Sequence, residues 1–230
     1  MYPNLQEKAV VDAAEKIMIE TMKRYDPSHD RHHVERVRKT ALSLARNINP
    51  TPDLLIVEIA ALLHDVLDKK YVSPEEAADP YNFFLPFFQE MSEQHGLDLI
   101  QDGRAKIITR VIENVSWTTE NKLRAAGEWS TWHDQCVELH CVQDADRLDA
   151  IGAFGIMRCA AYGTVINRPL HTAPGDPEYE HATIHHFYDK LVKIRDRLKT
   201  VPGKKLGVKR HQVLLDFLAS VDEEAGGKIE

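Results

Sequence analysis

The stretch LLIVEIAALLHDVL, residues 54–67, decides how the rest of the chain reads. Apolar side chains fall on three sides of a helical wheel, a pattern that predicts a buried central helix over residues 54–67. The break Asn49-Pro50-Thr51-Pro52-Asp53 starts it, with Asp53 ahead of the first apolar residue. His64 and Asp65 then sit at the end of an apolar run, which would carry both polar groups into the interior. Burying an ionisable pair is costly unless it is paired or bound to a metal. Two further His-Asp dipeptides, His29-Asp30 and His133-Asp134, lie in polar stretches, where solvated side chains are expected.

Helical periodicity dominates on either side. Residues 5–24 place Leu5, Ala9, Ala13, Ile17 and Met22 near one face, and Asp26-Pro27-Ser28 breaks that helix. Residues 32–47 form a second, with Val34, Val37, Ala41, Leu44 and Ala45 apolar. Residues 74–96 predict a helix pair capping the core, with Phe83, Phe84, Phe87 and Phe88 around Pro86. The sharper reading of that aromatic cluster is a lid or a homodimer surface. Residues 104–115 read as helix, 116–135 as a polar excursion holding Trp117, Trp129 and Trp132, and 137–161 as helix again. Residues 163–180 form a long loop rich in Pro and Gly. Helices over 181–199 and 204–219, separated by Val201-Pro202-Gly203, close the chain. No segment alternates as a strand does. The expectation is one all-α domain over residues 1–221, its core at about 20–220, with 222–230 a flexible tail.

The chain has 230 residues and a formal net charge of -7, with 43% hydrophobic and 28% charged residues. That composition suits a soluble protein, and the negative balance argues against broad binding to nucleic acid or anionic membrane. A small phosphorylated substrate stays open, since a metal and a few local cations can hold one. The N-terminal stretch lacks a signal-peptide pattern, and no apolar run is long enough to span a membrane. Three cysteines, Cys136, Cys141 and Cys159, have no framework spacing, which suits a reducing compartment. A cytoplasmic protein is expected, or a nuclear one if the chain is eukaryotic. Cys136, His140 and Cys141 lack the fourth ligand of a structural zinc site, so packing is their expected role.

Four residues far apart in sequence can serve one divalent metal: His33, His64, Asp65 and Asp146. His33 lies four before Val37 and shares its helix face, whereas His32 points away. Asp146 lies four before Ala150 and precedes an apolar, small-residue helix. Two imidazoles and two carboxylates suit Mn, Fe, Mg, Co, Ni or Zn, and a metal between helices can make water a nucleophile at neutral pH.

The strings SHDRHHVERVR (28–38), AALLHDVLDKKY (60–71), VQDADRLDAIGAFGIMR (142–158) and HHFYDKLVKI (185–194) resemble the HD-domain superfamily of metal-dependent phosphohydrolases, in its YedJ/YpgQ-type branch. The resemblance implies an all-α HD bundle with His33, His64, Asp65 and Asp146 as ligands of a divalent ion, Mn²⁺ first. Asp68 becomes the acid or base that assists the attacking water. The activity implied is cleavage of a nucleoside or deoxynucleoside triphosphate into monophosphate and pyrophosphate, with a 5′-nucleotidase or other small phosphate-ester hydrolase as the alternative. Lys70 and Arg147, and in a second tier His29, His186 and Lys190, are the candidate phosphate contacts. The loop holding Arg168, Pro169 and His171 is a candidate cover for a nucleotide. Di-iron oxygenases on the same scaffold need further helix-borne His ligands between His64 and Asp146. Of the three in that interval, His95 and His133 lie in polar segments and His140 in the cysteine-flanked stretch already assigned to packing. A non-catalytic module would have lost a ligand or the assisting acid.

Overall fold

The structure, a computed structural model, describes residues 2–68, 72–73 and 77–226. It is all helical, and no strand occurs among the described residues. None of their helices is long and apolar enough to cross a membrane. The chain divides into two compact units, Met1–Tyr25 with His29–Ala145, and Asp26–Ser28 with Asp146–Glu230.

In the first unit, α3 (Leu54–Leu63) is central and packs against α1 (Leu5–Met22), α2 (Arg31–Arg46) and α5 (Arg104–Asn114). Every α3 residue from Leu55 to Leu63 is buried. That includes Glu58, 4% exposed. Its carboxylate accepts from Arg38 Nε at 2.7 Å and from the Tyr2 hydroxyl, and Arg38 also meets Glu15 at 3.1 Å. One acid in an otherwise apolar helix is thereby compensated, as a buried charge must be.

The α3 helix is shorter than the apolar run. It stops at Leu63, and residues 64–67 form a turn closed by Val66 N–H to Leu63 O and Asp68 N–H to Asp65 O, both 3.1 Å. The Tyr25 hydroxyl lies 3.1 Å from Asp65 O and 3.2 Å from Val66 O. Those are carbonyls that a continuing helix would spend on its own ladder.

Residues 80–95 form a single helix, α4 (Pro80–His95), with Pro80 in its first turn, where a missing N–H costs nothing. Phe84, Phe87 and Phe88 are buried and Phe83 is 44% exposed. Most of the aromatic cluster is therefore core, with Phe83 left at its surface. The polar excursion holds two helices, α6 (Trp117–Ala125) and α7 (Thr131–Gln135). His133 is buried, not solvated. It accepts from Ser130 N–H at 3.0 Å, meets Asn114 Oδ1 at 3.1 Å and stacks on Trp129, with ring centroids 4.3 Å apart. Arg110 covers Trp132 at 3.8 Å and Arg124 covers Trp129 at 4.2 Å. Cation–π contacts and satisfied hydrogen bonds thus order a segment that hydropathy alone assigns to solvent.

The predicted helix over 137–161 is two helices, α8 (Val137–Asp149) and α9 (Gly152–Val165). Gly152 takes φ +73 at the junction, and a Cβ on Gly155 would stand 2.3 Å from Ala150 O. In the second unit α9 packs on α11 (Val201–Ala225) and on α10 (Thr183–Asp189). The predicted helix over 181–199 is only α10, followed by two single 3₁₀ turns, Leu191–Lys193 and Arg195–Arg197. Val201-Pro202-Gly203 opens α11 instead of preceding it: Thr200 caps the helix by accepting from Gly203 N–H at 3.0 Å, and proline is tolerated in a first turn. The same helix continues through Asp222 to Ala225, where Gly226 caps it, so this part of the predicted tail is helical.

Where α9 meets α10, a Cβ on Gly163 would stand 2.2 Å from Thr183 Oγ1. Gly163→Ala should therefore cost about 1–3 kcal/mol. Thermal melts of Gly163→Ala, Thr183→Ala and the double variant should show the alanine tolerated better once Thr183 is truncated. Strict additivity of the two would refute this contact as the cause.

Candidate metal centre

The N-terminus of α2 places His33. Asp30 is its N-cap, and the Asp30 carboxylate accepts from His33 N–H at 3.0 Å. His33 is fully buried, while His32 beside it is exposed and 3.5 Å from Glu35. His64 follows the last residue of α3, and its Nδ1 lies 2.8 Å from Ala61 O. A carbonyl only accepts, so Nδ1 carries the proton and Nε2 presents the lone pair. The turn that ends α3 then places Asp65 so that its Oδ2 is 3.4 Å from His33 Nε2 and 3.4 Å from His64 Nε2. The two imidazoles meet edge to face with centroids 5.5 Å apart, and one ring nitrogen from each lies within 4.8 Å of the other.

This arrangement fits a metal better than an ion pair. Asp65 Oδ2 is buried and has no hydrogen-bond partner. A separation of 3.4 Å exceeds the usual N–H···O range. Two atoms bound to one ion at about 2.1 Å each stand about 3.0–3.4 Å apart, depending on coordination geometry. Donor chemistry agrees, since imidazole nitrogen with carboxylate oxygen suits the divalent transition metals. Burial opposes ionisation of Asp65, but His64, then His33 and His29, outweigh it and hold its carboxyl well below the usual range.

His29 joins this cluster edge-on to His33, with centroids 6.0 Å apart. Asp68 closes the turn through its backbone N–H and is partly exposed. Lys69 and Lys70 lie outside the described residues. Asp146 is on α8, one residue past Ala145, on the same unbroken helix that supplies Leu139, Val142 and Ala145 to the core of the first unit. In the second unit Arg147 is buried and donates from Nη1 to Arg197 O at 2.9 Å, so backbone as well as charge holds it. Asp149, two residues on, meets Arg158 Nη1 at 3.3 Å. His186 lies on α10 and Lys190 at its C-terminal cap, both half-buried. Burial, then Lys190 and Arg168, push the His186 pKa down to about 4, so it is neutral at pH 7. Among the described residues Cys136, His140 and Cys141 form no ligand group, and His140 Nε2 is 2.8 Å from His133 O.

Tyr25 is the positioning residue that sequence reasoning did not find. Its neighbours Arg24 and Asp26 read as the polar end of a helix, and nothing local signals a partner forty residues on. Its hydroxyl is held protonated, the pKa pushed up to about 12, mainly by burial. Tyr25→Phe removes the donor to the Asp65 turn and should cost about 1–2 kcal/mol. Metal affinity should fall roughly tenfold, as for other groups that orient a ligand. Isothermal titration with Mn²⁺ and a thermal melt check both; unchanged affinity would sink the positioning role.

A protein-family model, HD domain, matches residues 31–151. YpgQ of Bacillus subtilis is 30% identical over 204 residues, covering 86% of this chain and 85% of that protein. The crystal structure of YpgQ in complex with ADP covers 96% of this chain and 97% of that one at TM-score 0.68 and 24% identity. An HD-superfamily hydrolase from Bacillus thuringiensis covers 96% of this chain and 100% of that one at TM-score 0.69 and 26% identity. The family match takes in the α2 histidine, the His-Asp turn after α3 and the whole of α8, and with more than half of the sequence under it this chain belongs to the HD domain family.

Proposed function

We propose that the protein is a metal-dependent phosphohydrolase acting on nucleotides, converting nucleoside or deoxynucleoside triphosphates to monophosphate and pyrophosphate. The observation that carries this reading is the buried Asp65 Oδ2, placed 3.4 Å from each of two imidazole nitrogens. Support comes from the ADP complex of YpgQ, a relative that matches most of this chain. His33, His64 and Asp65 would hold a divalent ion, with Mn²⁺ the first choice. Asp146, the fourth ligand that the family resemblance implies, would complete the set.

Bound there, a divalent ion supplies charge neutralisation at phosphorus and a lowered pKa for water. Asp68 would take the proton from the attacking water. Water oxygen bonds to the α-phosphorus, the bond to the bridging oxygen breaks, and pyrophosphate leaves with that oxygen. Positioning and charge neutralisation carry most of such a reaction. His29, beside His33, and the cations Lys70, Arg147 and Lys190 with neutral His186 would orient the phosphates. The substrate is a small molecule rather than nucleic acid, in keeping with a net charge of -7, and the expected compartment is the cytoplasm.

The test is ³¹P NMR of the products after metal-stripped protein, reloaded with Mn²⁺, meets a panel of ribo- and deoxynucleotides. Pyrophosphate plus monophosphate, lost on chelation, is expected. Orthophosphate from monophosphates would replace this reading with a nucleotidase, and no product from any nucleotide would end it. His64→Ala should lose bound metal, measured by elemental analysis, while circular dichroism keeps its helical signal. Asp68→Ala should retain the metal and lose most turnover, at least about a hundredfold; wild-type turnover would remove Asp68 from the mechanism.

A further inference from the structure

The end of α9 is built to hold one arginine in place. Asn167 takes φ +54, the left-handed conformation, directly after the helix. Its N–H bonds Thr164 O at 3.1 Å, and Arg168 N–H reaches back to Gly163 O at 2.8 Å. These paired bonds form a Schellman motif, with asparagine where glycine is usual. The next two carbonyls then cap α10: Pro169 O accepts from Thr183 N–H at 2.8 Å and Leu170 O from Ile184 N–H at 3.0 Å. The backbone is thus fixed against the last turn of α9 up to Arg168 and against the first turn of α10 just after it.

His186 lies on α10 three residues beyond Thr183, and Lys190 is its C-cap. Their proximity shows in the charges that each group feels. Arg168 and Lys190 both act on His186, and both act on the Cys159 thiol, whose pKa burial nevertheless pushes up to about 11. Among the described residues, the side chains of Arg168 and His186 have no hydrogen bond or ion pair. Asp189, the acid of α10, is exposed and 3.8 Å from Lys193.

We propose that Arg168, with Lys190 and His186, forms a recognition site for the phosphate chain of the substrate, selecting di- and triphosphates over monophosphates. A guanidinium offers a planar fork to two phosphate oxygens and a lysine adds a point charge, which suits adjacent phosphates on one chain. A neutral imidazole adds one more donor. Holding Arg168 by its backbone beforehand reduces the entropy lost on binding. The proposal rests on the nucleotide phosphohydrolase reading, but its test does not require turnover.

Isothermal titration of the as-purified protein with inorganic tripolyphosphate and with orthophosphate separates the two. Wild type should bind tripolyphosphate at least about tenfold more tightly than orthophosphate. Arg168→Gln should lose at least about tenfold of the tripolyphosphate affinity, the loss expected for a charged hydrogen bond. Arg168→Lys, which keeps the charge without the fork, should fall between them. Lys193→Gln, an equal change of charge on the neighbouring 3₁₀ turn, should leave the affinity within about twofold. Equal losses in Arg168→Gln and Lys193→Gln, or none in the first, would overturn the proposal. Selective loss in Arg168→Gln from a protein that hydrolyses no nucleotide would keep the site and reject the substrate reading. Hydrolysis of triphosphates with unchanged Arg168→Gln affinity would do the reverse. Thermal melts show which variants are folded, and Lys190→Gln, expected to weaken tripolyphosphate by a similar factor, stands in if Arg168→Gln is not.

Discussion

A carboxylate oxygen buried without a hydrogen bond is expensive, and the structure around Asp65 Oδ2 is organised by that cost. Water cannot solvate its Oδ2, and no N–H or O–H donates to it. Two imidazole nitrogens stand at equal distance from it, with His29 beyond them, so a divalent ion bound among them would compensate the charge. Each neighbour is then fixed by a local device. Asp30 caps α2 and sets His33. The Ala61 carbonyl sets the tautomer of His64. The Tyr25 hydroxyl takes up carbonyls of the Asp65 turn. Rigid supports of this kind keep converging ligands from relaxing away from one another, which a metal site requires before any ion arrives.

Apolar burial makes those supports possible. The α3 helix is surrounded by α1, α2 and α5, and its buried Glu58 is satisfied by Arg38 and Tyr2. A helix so enclosed has no freedom to rotate, so the residues just past its end have fixed directions. That is why an otherwise weak dipeptide, His-Asp, carries information here. The same pair at 133–134 ends differently, with His133 spent on Asn114, Ser130 and a tryptophan face and Asp134 on Trp129.

Pattern and spacing revealed what depends on local sequence. The apolar run made the central helix legible, and its polar end pointed to His64 and Asp65; the register of α2 pointed to His33. Features decided by distant partners were not legible. The stop after Leu63 depends on Tyr25, and the order in residues 117–135 depends on Arg110 and Asn114 of α5. One proline signal misled: Pro202 sits in the first turn of α11, where a proline starts a helix as readily as it ends one. The extent of α11 was hidden by the acidic run at 222–224, whose stop signal is the glycine that follows it.

The arginines of the second unit divide by what they bond. Arg147 donates to Arg197 O, Arg158 to Ser28 O and Arg210 to Leu148 O, at 2.9, 2.6 and 2.6 Å. Each holds a main-chain carbonyl near the end of a helix or in a connection, where carbonyls run short of backbone donors. Their charge is incidental to that work, and a buried guanidinium committed to a carbonyl has fewer donors left for a ligand. Arg168 reverses the arrangement. Its backbone is tied at Gly163 and its following carbonyls are tied to α10, while the side chain is left to the half-buried flank shared with His186 and Lys190. Where a fold fixes the main chain of a cation and leaves its head group unspent, the head group is the part available for recognition, and in a chain of net charge -7 such a concentration of positive charge defines a direction for an anion.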